Sequence, residues 1–316
     1  MACCPATCLC LLAVLLVICP APASADWQHL GPGAGLGGSL VYSVLEAGDG
    51  AYWFCHDNND GVGRFDGLHW TVYTEADGLD LTTAYTIFES ATGDIWVGDV
   101  WGVYRFDGTA WTKYDVGDGL VGYSCHDIAE DSGGDLWFAC DGGVSRFDGA
   151  SWVSYTVDDG LVHGDVWGVA EHPSGDLWFA TQGGVSRFDG ASWTSYTTAD
   201  GPGDDLTKAV FVDTAGGVWV GTESGGVSRF DGAEWTVFKK ADGLVDNYVV
   251  AIAQDADGNM WFGSWGGLGA SRFDGETWTT FAGGDGLPNA GIADIMQDGS
   301  GNLWFAHVHY GGVSIW

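Results

Sequence analysis

The chain has 316 residues, of which 43 are Asp or Glu and 10 are Lys or Arg, and its formal net charge is −33. This acidic excess opposes binding to nucleic acid or to an anionic membrane surface, because both need clustered basic side chains. Cationic partners, divalent ions and neutral glycans remain compatible with it. The 53 glycines and the 14% of aromatic residues favour many short strands joined by tight turns.

Residues 1–25 predict an export signal. They carry no charged side chain, and their apolar run, residues 9–18, is too short to span a bilayer. The small residues that end this segment predict cleavage after Ala25. A lipoprotein attached through Cys19 is the alternative, and it fits less well because a bulky residue precedes that cysteine. No later apolar run is long enough to cross a membrane, so we expect a periplasmic or extracellular protein folded from residues 26–316.

A repeat fills the rest of the chain. Its Arg-Phe-Asp-Gly core begins at Arg64, Arg105, Arg146, Arg187, Arg229 and Arg272. Successive copies are 41, 41, 41, 42 and 43 residues apart, and a seventh copy, with Ile315 in place of the arginine, ends the chain. A period of about 40 to 45 residues is typical of a β-propeller with one four-stranded blade per repeat. The predicted fold class is therefore all-β, a seven-bladed propeller with antiparallel blades.

Each repeat predicts four strands, as the third copy illustrates. A first strand is centred on Ile128, and an Asp- and Gly-rich turn leads to the second strand at 136–139. The third strand, 143–147, is followed by an Asp-Gly hairpin turn and by the fourth strand, 151–155. The loop between strands two and three and the connection to the next blade should therefore emerge on the same face of the disc.

The two ends of the chain predict how the ring closes. The last repeat stops at Trp316 after three strands, and Trp27 begins a fourth-strand pattern 43 residues before Trp70. We therefore expect the N-terminal strand to complete the last blade. Closure of this kind removes exposed sheet edges.

Two tryptophan series follow the repeat and contain 14 of the 18 tryptophans. They are Trp53, Trp96, Trp137, Trp178, Trp219, Trp261 and Trp304, and Trp27, Trp70, Trp111, Trp152, Trp193, Trp235 and Trp278. Their regularity indicates that they fill space between sheets. The repeat arginines are interpreted as structural ion pairs with turn aspartates.

Three cysteines follow the export signal, namely Cys55, Cys125 and Cys140. Cys125 and Cys140 lie symmetrically about the turn between the first two strands of their repeat, so they should face each other across a hairpin. They could form a disulfide or remain two reduced, buried thiols.

Function is expected where the copies of the repeat differ. One variable set lies near the start of the first strand and consists of Tyr42, Tyr85, His126, Trp167, Lys208, Val250 and Ala293. A second set, in the loops after the second strand, includes His56, Asp99, Trp101, Glu223, Trp265, His307, His309 and Tyr310. Aromatic rings and carboxylates around a central pocket suit a sugar or another small polar ligand. The alternative is that these aromatic residues only cover the tops of the blades.

Three histidines are candidate metal ligands. His307 and His309 flank one residue, which on a strand places both on one face, and His56 is equivalent to His307 in the neighbouring blade. No compact motif of carboxylates and histidines completes a site. No cofactor is therefore predicted, and a divalent cation remains an alternative.

The repeat unit combines Asp-x-x-Gly-x-Leu-Trp-Phe, Gly-Gly-Val-Ser-Arg-Phe-Asp-Gly and Trp-x-x-Tyr-Thr with a final Asp-Gly-Leu. It resembles the two-component regulator propeller repeat, with its best copies at 131–161, 174–201 and 255–287. In that family such repeats form the periplasmic, ligand-sensing part of membrane-bound sensor kinases, often recognising glycans. The resemblance implies a non-enzymatic propeller that binds a glycan, a small polar ligand or a protein. Because no membrane helix or kinase follows the repeats, we expect it to act with a separate signalling partner.

An enzyme is the alternative function. The sequence contains no nucleophile elbow, phosphate loop or localised acid–base pair. Seven-bladed streptogramin lyases have broadly similar repeats and use a histidine with a bound divalent ion. A metal-assisted lyase or hydrolase of that type would have to use His126, His307 or His309.

Overall fold

The computed structural model describes residues 27–38, 40–57, 60–288, 290–308 and 311–316. The predicted export signal lies outside these residues. Within them the chain forms seven four-stranded antiparallel sheets. They are called blades 1 to 7, in the order in which their innermost strands occur along the chain. The seven sheets confirm the predicted seven-bladed propeller.

Each blade contributes one strand to each of four concentric layers. The innermost strands are β2 (Val41–Glu46), β6 (Ala84–Glu89), β10 (Cys125–Glu130), β14 (Val166–Glu171), β18 (Thr207–Val212), β22 (Val249–Gln254) and β26 (Ile292–Gln297). The second strands are β3 (Tyr52–His56), β7 (Ile95–Asp99), β11 (Leu136–Cys140), β15 (Leu177–Thr181), β19 (Val218–Thr222), β23 (Met260–Ser264) and β27 (Leu303–His307). The third strands are β4 (Val62–Phe65), β8 (Gly102–Phe106), β12 (Gly143–Phe147), β16 (Gly184–Phe188), β20 (Val227–Phe230), β24 (Ala270–Phe273) and β28 (Val313–Ile315). The outer strands are β5 (Trp70–Tyr73), β9 (Trp111–Tyr114), β13 (Trp152–Tyr155), β17 (Trp193–Tyr196), β21 (Trp235–Phe238), β25 (Trp278–Phe281) and β1 (Gln28–Leu30).

Short 3₁₀ helices occur in the connections between strands. Those described are Pro32–Ala34, Glu75–Asp77, Val157–Asp159, Lys240–Asp242 and Gly283–Asp285. No helix in the described part of the chain has the length and hydrophobicity needed to cross a bilayer.

The ring closes as predicted. Inner strands of adjacent blades contact each other all the way round, including β2 of blade 1 with β26 of blade 7. In blade 7 the N-terminal strand β1 pairs with the C-terminal strand β28, with His29 opposite Ser314. The indole of Trp27 packs edge-on against Phe305, with ring centroids 5.1 Å apart. The two ends of the described chain therefore share one blade.

The tryptophans and arginines of the repeat have the predicted structural roles. Every tryptophan of the first series is at most 3% exposed. In blades 1 to 5 the repeat arginine lies over the ring of that tryptophan and pairs with an aspartate of the turn before it. In blade 4, for example, Arg187 Nη2 lies 2.7 Å from Asp176 Oδ2. In blade 6 the corresponding Arg272 donates to Asn259 instead, at 3.2 Å.

Side chains at the ends of the inner strands connect neighbouring blades on one face of the disc. In six of the seven blade pairs, a Glu or Gln that ends an inner strand accepts the backbone N–H of the turn in the preceding blade, at 2.5 to 2.9 Å. Between blades 4 and 5 the same two positions hold Pro173 and Val212. Proline has no N–H to donate, and valine has no acceptor. There His172 Nε2 contacts the Gly216 carbonyl at 3.1 Å, which links these two blades.

Cys125 and Cys140 are opposite each other across β10 and β11, as expected from the sequence. Both are free thiols with no exposed surface, and so is Cys55. A disulfide between Cys125 and Cys140 stays a hypothesis.

Candidate ligand-binding site

Every innermost strand has a β-bulge at its second residue. In blade 1, for example, Val41 and Ser43 pair with His56 and Cys55, which leaves Tyr42 without a partner on β3. A bulge re-aims side chains away from the regular alternation of the strand. The unpaired residues of blades 1 to 7 are Tyr42, Tyr85, His126, Trp167, Lys208, Val250 and Ala293.

These seven residues converge on one cavity in the middle of the ring of inner strands. The cavity has a volume of about 310 Å³, and Tyr248 and Trp265 complete its lining. It lies on the face that carries both the loops after the second strands and the connections between blades. On that face the two kinds of loop are hydrogen-bonded, as in Trp265 N to Tyr248 O at 3.2 Å. This confirms that they emerge together, and we call this cavity the axial cavity.

Aromatic rings follow one another around the wall of the axial cavity. Tyr42 meets Tyr85 edge-on at 5.8 Å between ring centroids, and Tyr85 lies 5.0 Å from His126. Trp265 of blade 6 reaches across blade 7 to within 6.2 Å of Tyr42. It can do so because blade 7 contributes only the small Ala293 to the wall. Burial raises the pKa of Tyr42 to about 12, so its hydroxyl is neutral and can donate or accept.

Three of the wall residues, from blades 3, 4 and 5, form a stack. His126 lies against Trp167 with ring centroids 4.2 Å apart and planes inclined by 7°. Lys208 Nζ lies 3.7 Å from the centroid of the Trp167 ring. Burial lowers the pKa of His126 to about 4, although nearby Asp165 opposes the shift. The imidazole is therefore neutral at ordinary pH.

Two polar atoms of this stack have no hydrogen-bond partner among the described residues. They are His126 Nδ1 and Trp167 Nε1, both of which are buried. The Lys208 side chain is only 7% exposed, and among the described residues its one ion pair is with Glu223, at 3.8 Å. Burial lowers the pKa of Lys208, and Glu223 opposes that shift. Because buried polar groups are ordinarily paired, this corner of the cavity has unused hydrogen-bonding capacity.

The cavity continues along the axis, where the residue after each bulge lines it. Among them are two carboxylates, Asp127 of blade 3 and Asp294 of blade 7. Asp127 Oδ2 accepts the Val169 N–H of the next blade at 2.9 Å, and Asp294 Oδ2 accepts the Val44 N–H at 3.0 Å. Burial raises the pKa of Asp127 to about 7, and it also raises the pKa of Asp294. These aspartates therefore connect blades as well as lining the channel.

Asp99 and Trp101, two of the loop candidates, lie away from the cavity lining. Asp99 is buried and accepts the backbone N–H groups of Thr82, Thr83 and Trp101, so it organises its own loops. Trp101 is 52% exposed and packs against Tyr123.

The two described histidines of the loop set are buried within their blades. His307 Nε2 bonds to Ser314 Oγ at 2.8 Å, and His56 Nδ1 lies 3.4 Å from the Leu40 carbonyl. His309 and Tyr310 lie outside the described residues. No group of three His, Cys, Asp or Glu residues that could hold a metal ion occurs in the described part of the chain.

Sequence reasoning missed three residues of the site. Tyr248 lies in a connection between blades, one position before the inner strand, where the repeat has no fixed residue type. Asp127 and Asp294 follow directly after bulge positions, and a carboxylate at a position that is uncharged in the other five blades was the available signal.

The fold and the cavity together define a seven-bladed β-propeller with a candidate binding site on its axis. The family model described as two component regulator propeller matches residues 243–266. That segment contains the inner and second strands of blade 6, which are part of one copy of the repeat. This match confirms the resemblance of the repeats to the two-component regulator propeller repeat. No curated protein matches the chain.

Solved structures with a similar fold come from several kinds of protein. The extracellular domain of the hybrid two-component system BT3049 from B. thetaiotaomicron has a TM-score of 0.79 and 19% identity, over 92% of this chain and 41% of that one. A catalytically inactive virginiamycin B lyase from Staphylococcus aureus, with quinupristin, has a TM-score of 0.75 and 18% identity. The match covers 92% of this chain and 98% of the lyase. YCF48 bound to D1 peptide has a TM-score of 0.64 and 15% identity, and the match covers 94% of this chain and 98% of YCF48. At these identities the similarity shows the fold alone, and this chain spans less than half of the BT3049 domain.

Proposed function

We propose that this chain is an exported, non-enzymatic binding propeller whose ligand, a glycan or another small polar molecule, occupies the axial cavity. The supporting observation is the convergence of the seven bulge residues. They differ from blade to blade, whereas the tryptophans and arginines that build the blades recur. A position that the fold leaves free in every blade, and that faces one cavity, is available for recognition.

The chemistry of the wall suits such a ligand. The rings of Tyr42, Tyr85 and Trp265 offer apolar faces, and the tyrosine hydroxyls offer polar edges. His126 Nδ1 and Trp167 Nε1 add buried polar atoms without partners among the described residues. Mostly apolar walls with a few convergent polar groups are typical of small-molecule sites.

The proposed biological role is sensing together with a separate signalling partner. BT3049 is a hybrid two-component system, and its extracellular domain has this fold. The transfer of a sensing role to this chain rests on the repeat family and on the axial cavity.

A thermal-shift screen of the purified protein against glycans and divalent ions tests the proposal. A specific ligand stabilises the fold by mass action, by about 2.7 kcal/mol at a concentration of one hundred times Kd. We expect a glycan or small polar compound to raise the Tm, and Tyr42→Ala and Trp265→Ala to abolish that rise. Trp101→Ala is the matched control, since Trp101 is an aromatic residue of the same face outside the cavity lining. Binding that survives both cavity variants would contradict the proposal.

The alternative is a metal-assisted lyase or hydrolase, and the position of His126 in the cavity is the observation that favours it. Its neutral imidazole has the protonation state that a metal ligand needs. A Tm rise with a divalent ion alone, accompanied by metal-dependent turnover and lost in His126→Ala, would establish the enzyme in place of the binding protein.

A further inference from the structure

Lys208 is unusual among the residues that line the axial cavity. Of the lining residues that the structure describes, it is the only lysine or arginine. Its side chain is 7% exposed, in a protein whose net charge is −33. Burial of an ammonium group is unfavourable unless other groups compensate for its lost hydration.

The fold itself does not require a lysine at this bulge. The equivalent residues of blades 6 and 7 are Val250 and Ala293, and their inner strands have the same bulge and the same pairing. A small apolar residue is therefore sufficient for the backbone geometry. The reason for a buried ammonium must lie in what it faces.

Lys208 has no short ion pair within the described part of the protein. Glu223 is 41% exposed and its carboxylate is 3.8 Å away, near the limit for an ion pair. In contrast, Arg187 and Asp176 of the blade framework are 2.7 Å apart. The second partner is the Trp167 ring, which attracts the ammonium through its π electrons. Asp165 also favours the charged form of Lys208, from a greater distance. None of these partners forms a short ion pair with the ammonium.

Trp167 brings a second hydrogen-bond donor to the same corner. His126 stacks on its ring and Lys208 lies over it, so the ring has little free face to offer a ligand. What remains is its indole N–H, which is buried and has no acceptor among the described residues. Lys208 Nζ lies 3.7 Å from the centroid of the ring that carries this N–H. Two donors of one corner, one of them charged, are suited to a group with two acceptor oxygens.

We infer that the ligand of the axial cavity carries a carboxylate, which Lys208 Nζ and Trp167 Nε1 bind together, while the rest of the molecule lies against Tyr42, Tyr85 and Trp265. This inference rests on the proposed function and deepens it from a small polar ligand to an acidic one. A cationic ligand would meet the Lys208 ammonium in this corner, and a neutral one would leave it with only the more distant carboxylates of Glu223 and Asp165.

Two matched series of compounds test the inference. D-glucuronate, D-glucose and D-glucosamine differ in charge on one sugar frame, and benzoate, benzamide and benzylamine differ in charge on one aromatic frame. The readouts are the Tm and the indole N–H resonance of Trp167, assigned with Trp167→Phe. We expect an acid to raise the Tm and shift that resonance, and its neutral and cationic counterparts to do so at least tenfold more weakly.

Variants separate the role of Lys208 from a general charge effect. Lys208→Met keeps the length and apolar stem of the side chain and should weaken binding of the acid at least tenfold. Lys240→Met removes the same charge from an exposed site and should leave binding unchanged.

Several results would overturn the inference. They are equal binding of a neutral or cationic counterpart, unchanged affinity of the acid in Lys208→Met, or no response to either acid. If a neutral glycan binds and its effect is lost in Tyr42→Ala and Trp265→Ala, the carboxylate inference fails while the proposed function stands. If every bound compound is insensitive to those two cavity variants, both fail.

Discussion

His126 stacks on Trp167 with ring centroids 4.2 Å apart and ring planes inclined by 7°. The imidazole is 8% exposed, and its nearest carboxylate, Asp165, is 3.9 Å away. Burial therefore dominates and lowers the pKa of His126 from 6.5 to about 4. Between these two values the unfolded chain binds a proton at this residue and the folded chain does not, so His126 makes the fold less stable as the pH falls.

His126→Phe should reveal this contribution, because it keeps an aromatic ring against Trp167 and removes the titration. We expect the free energy of unfolding of the variant, relative to wild type, to increase by roughly 3 kcal/mol as the pH falls from 6.5 to 4. Urea unfolding at several pH values measures it. A constant difference would show that the imidazole takes up its proton at the same pH in the folded and the unfolded chain.

Asp127→Asn should show the opposite pH dependence. Burial raises the pKa of Asp127 to about 7, so the folded protein holds a proton that the unfolded chain releases between pH 4 and 7. Stability from this group is therefore present at low pH and lost as the pH rises through 7. The variant cannot accept two N–H groups as Asp127 does from Ile128 and Val169, so it should be less stable by about 1 kcal/mol or more.

The deficit of Asp127→Asn should be largest at pH 4 and below and shrink as the pH rises from 4 to 7, and the same urea experiments measure it. Asp148→Asn, at a hairpin turn on the surface, is the control, because the pKa of Asp148 is shifted downward by the Ser151 and Ala150 N–H groups. Its deficit should grow as the pH rises toward 4 and stay constant above that. The same trend in both variants would argue against a protonated Asp127.

The missing contact between blades 4 and 5 can be introduced. Elsewhere a Glu or Gln accepts a backbone N–H of the preceding blade, as Gln254 does from Thr214 at 2.9 Å. Pro173→Ser should restore the donor, and Val212→Gln should restore the acceptor. We expect the double variant to be more stable than the sum of the two single changes predicts, by about 1 kcal/mol. A double-mutant cycle of unfolding free energies measures this coupling, and additive effects would mean that the new contact does not form.

Trp27→Ala should loosen the closure of the ring. Trp27 packs against Phe305, Phe281 and Trp316, all of them from the C-terminal part of the chain. Its removal should lower the free energy of unfolding by about 3 kcal/mol, as for a large side chain removed from a packed interior. Trp101→Ala, at an exposed tryptophan, should change stability by no more than about 0.5 kcal/mol. Equal effects of the two variants would contradict the role of the N-terminal strand as the closure of blade 7.

The framework was predictable because it repeats. The spacing of the Arg-Phe-Asp-Gly cores predicted seven blades, and the fourth-strand pattern at Trp27 predicted the pairing of β1 with β28. The arginine ion pairs followed from the same regularity. Such features depend on short-range chemistry, such as strand alternation and turn residues, which recurs in each copy and can be compared between copies.

The site was predictable only in part. The variable position before each first-series tryptophan identified Tyr42, His126, Trp167 and Lys208 as candidates, and the structure brings them to one cavity. The loop candidates His56 and His307 proved to be buried within their blades. Whether a loop residue points outward or inward depends on packing against the next blade, which the sequence pattern does not encode.

The sequence by itself determined the class of fold, the number of blades and the residues that hold them together, because these follow from a local pattern repeated seven times. Only the tertiary structure decided which of the non-repeating residues meet. The bulge of each inner strand re-aims one side chain to the axis, and closure of the ring brings Tyr42 of blade 1 near Trp265 of blade 6. These contacts join residues that are far apart along the chain, so they exist only once the ring is closed.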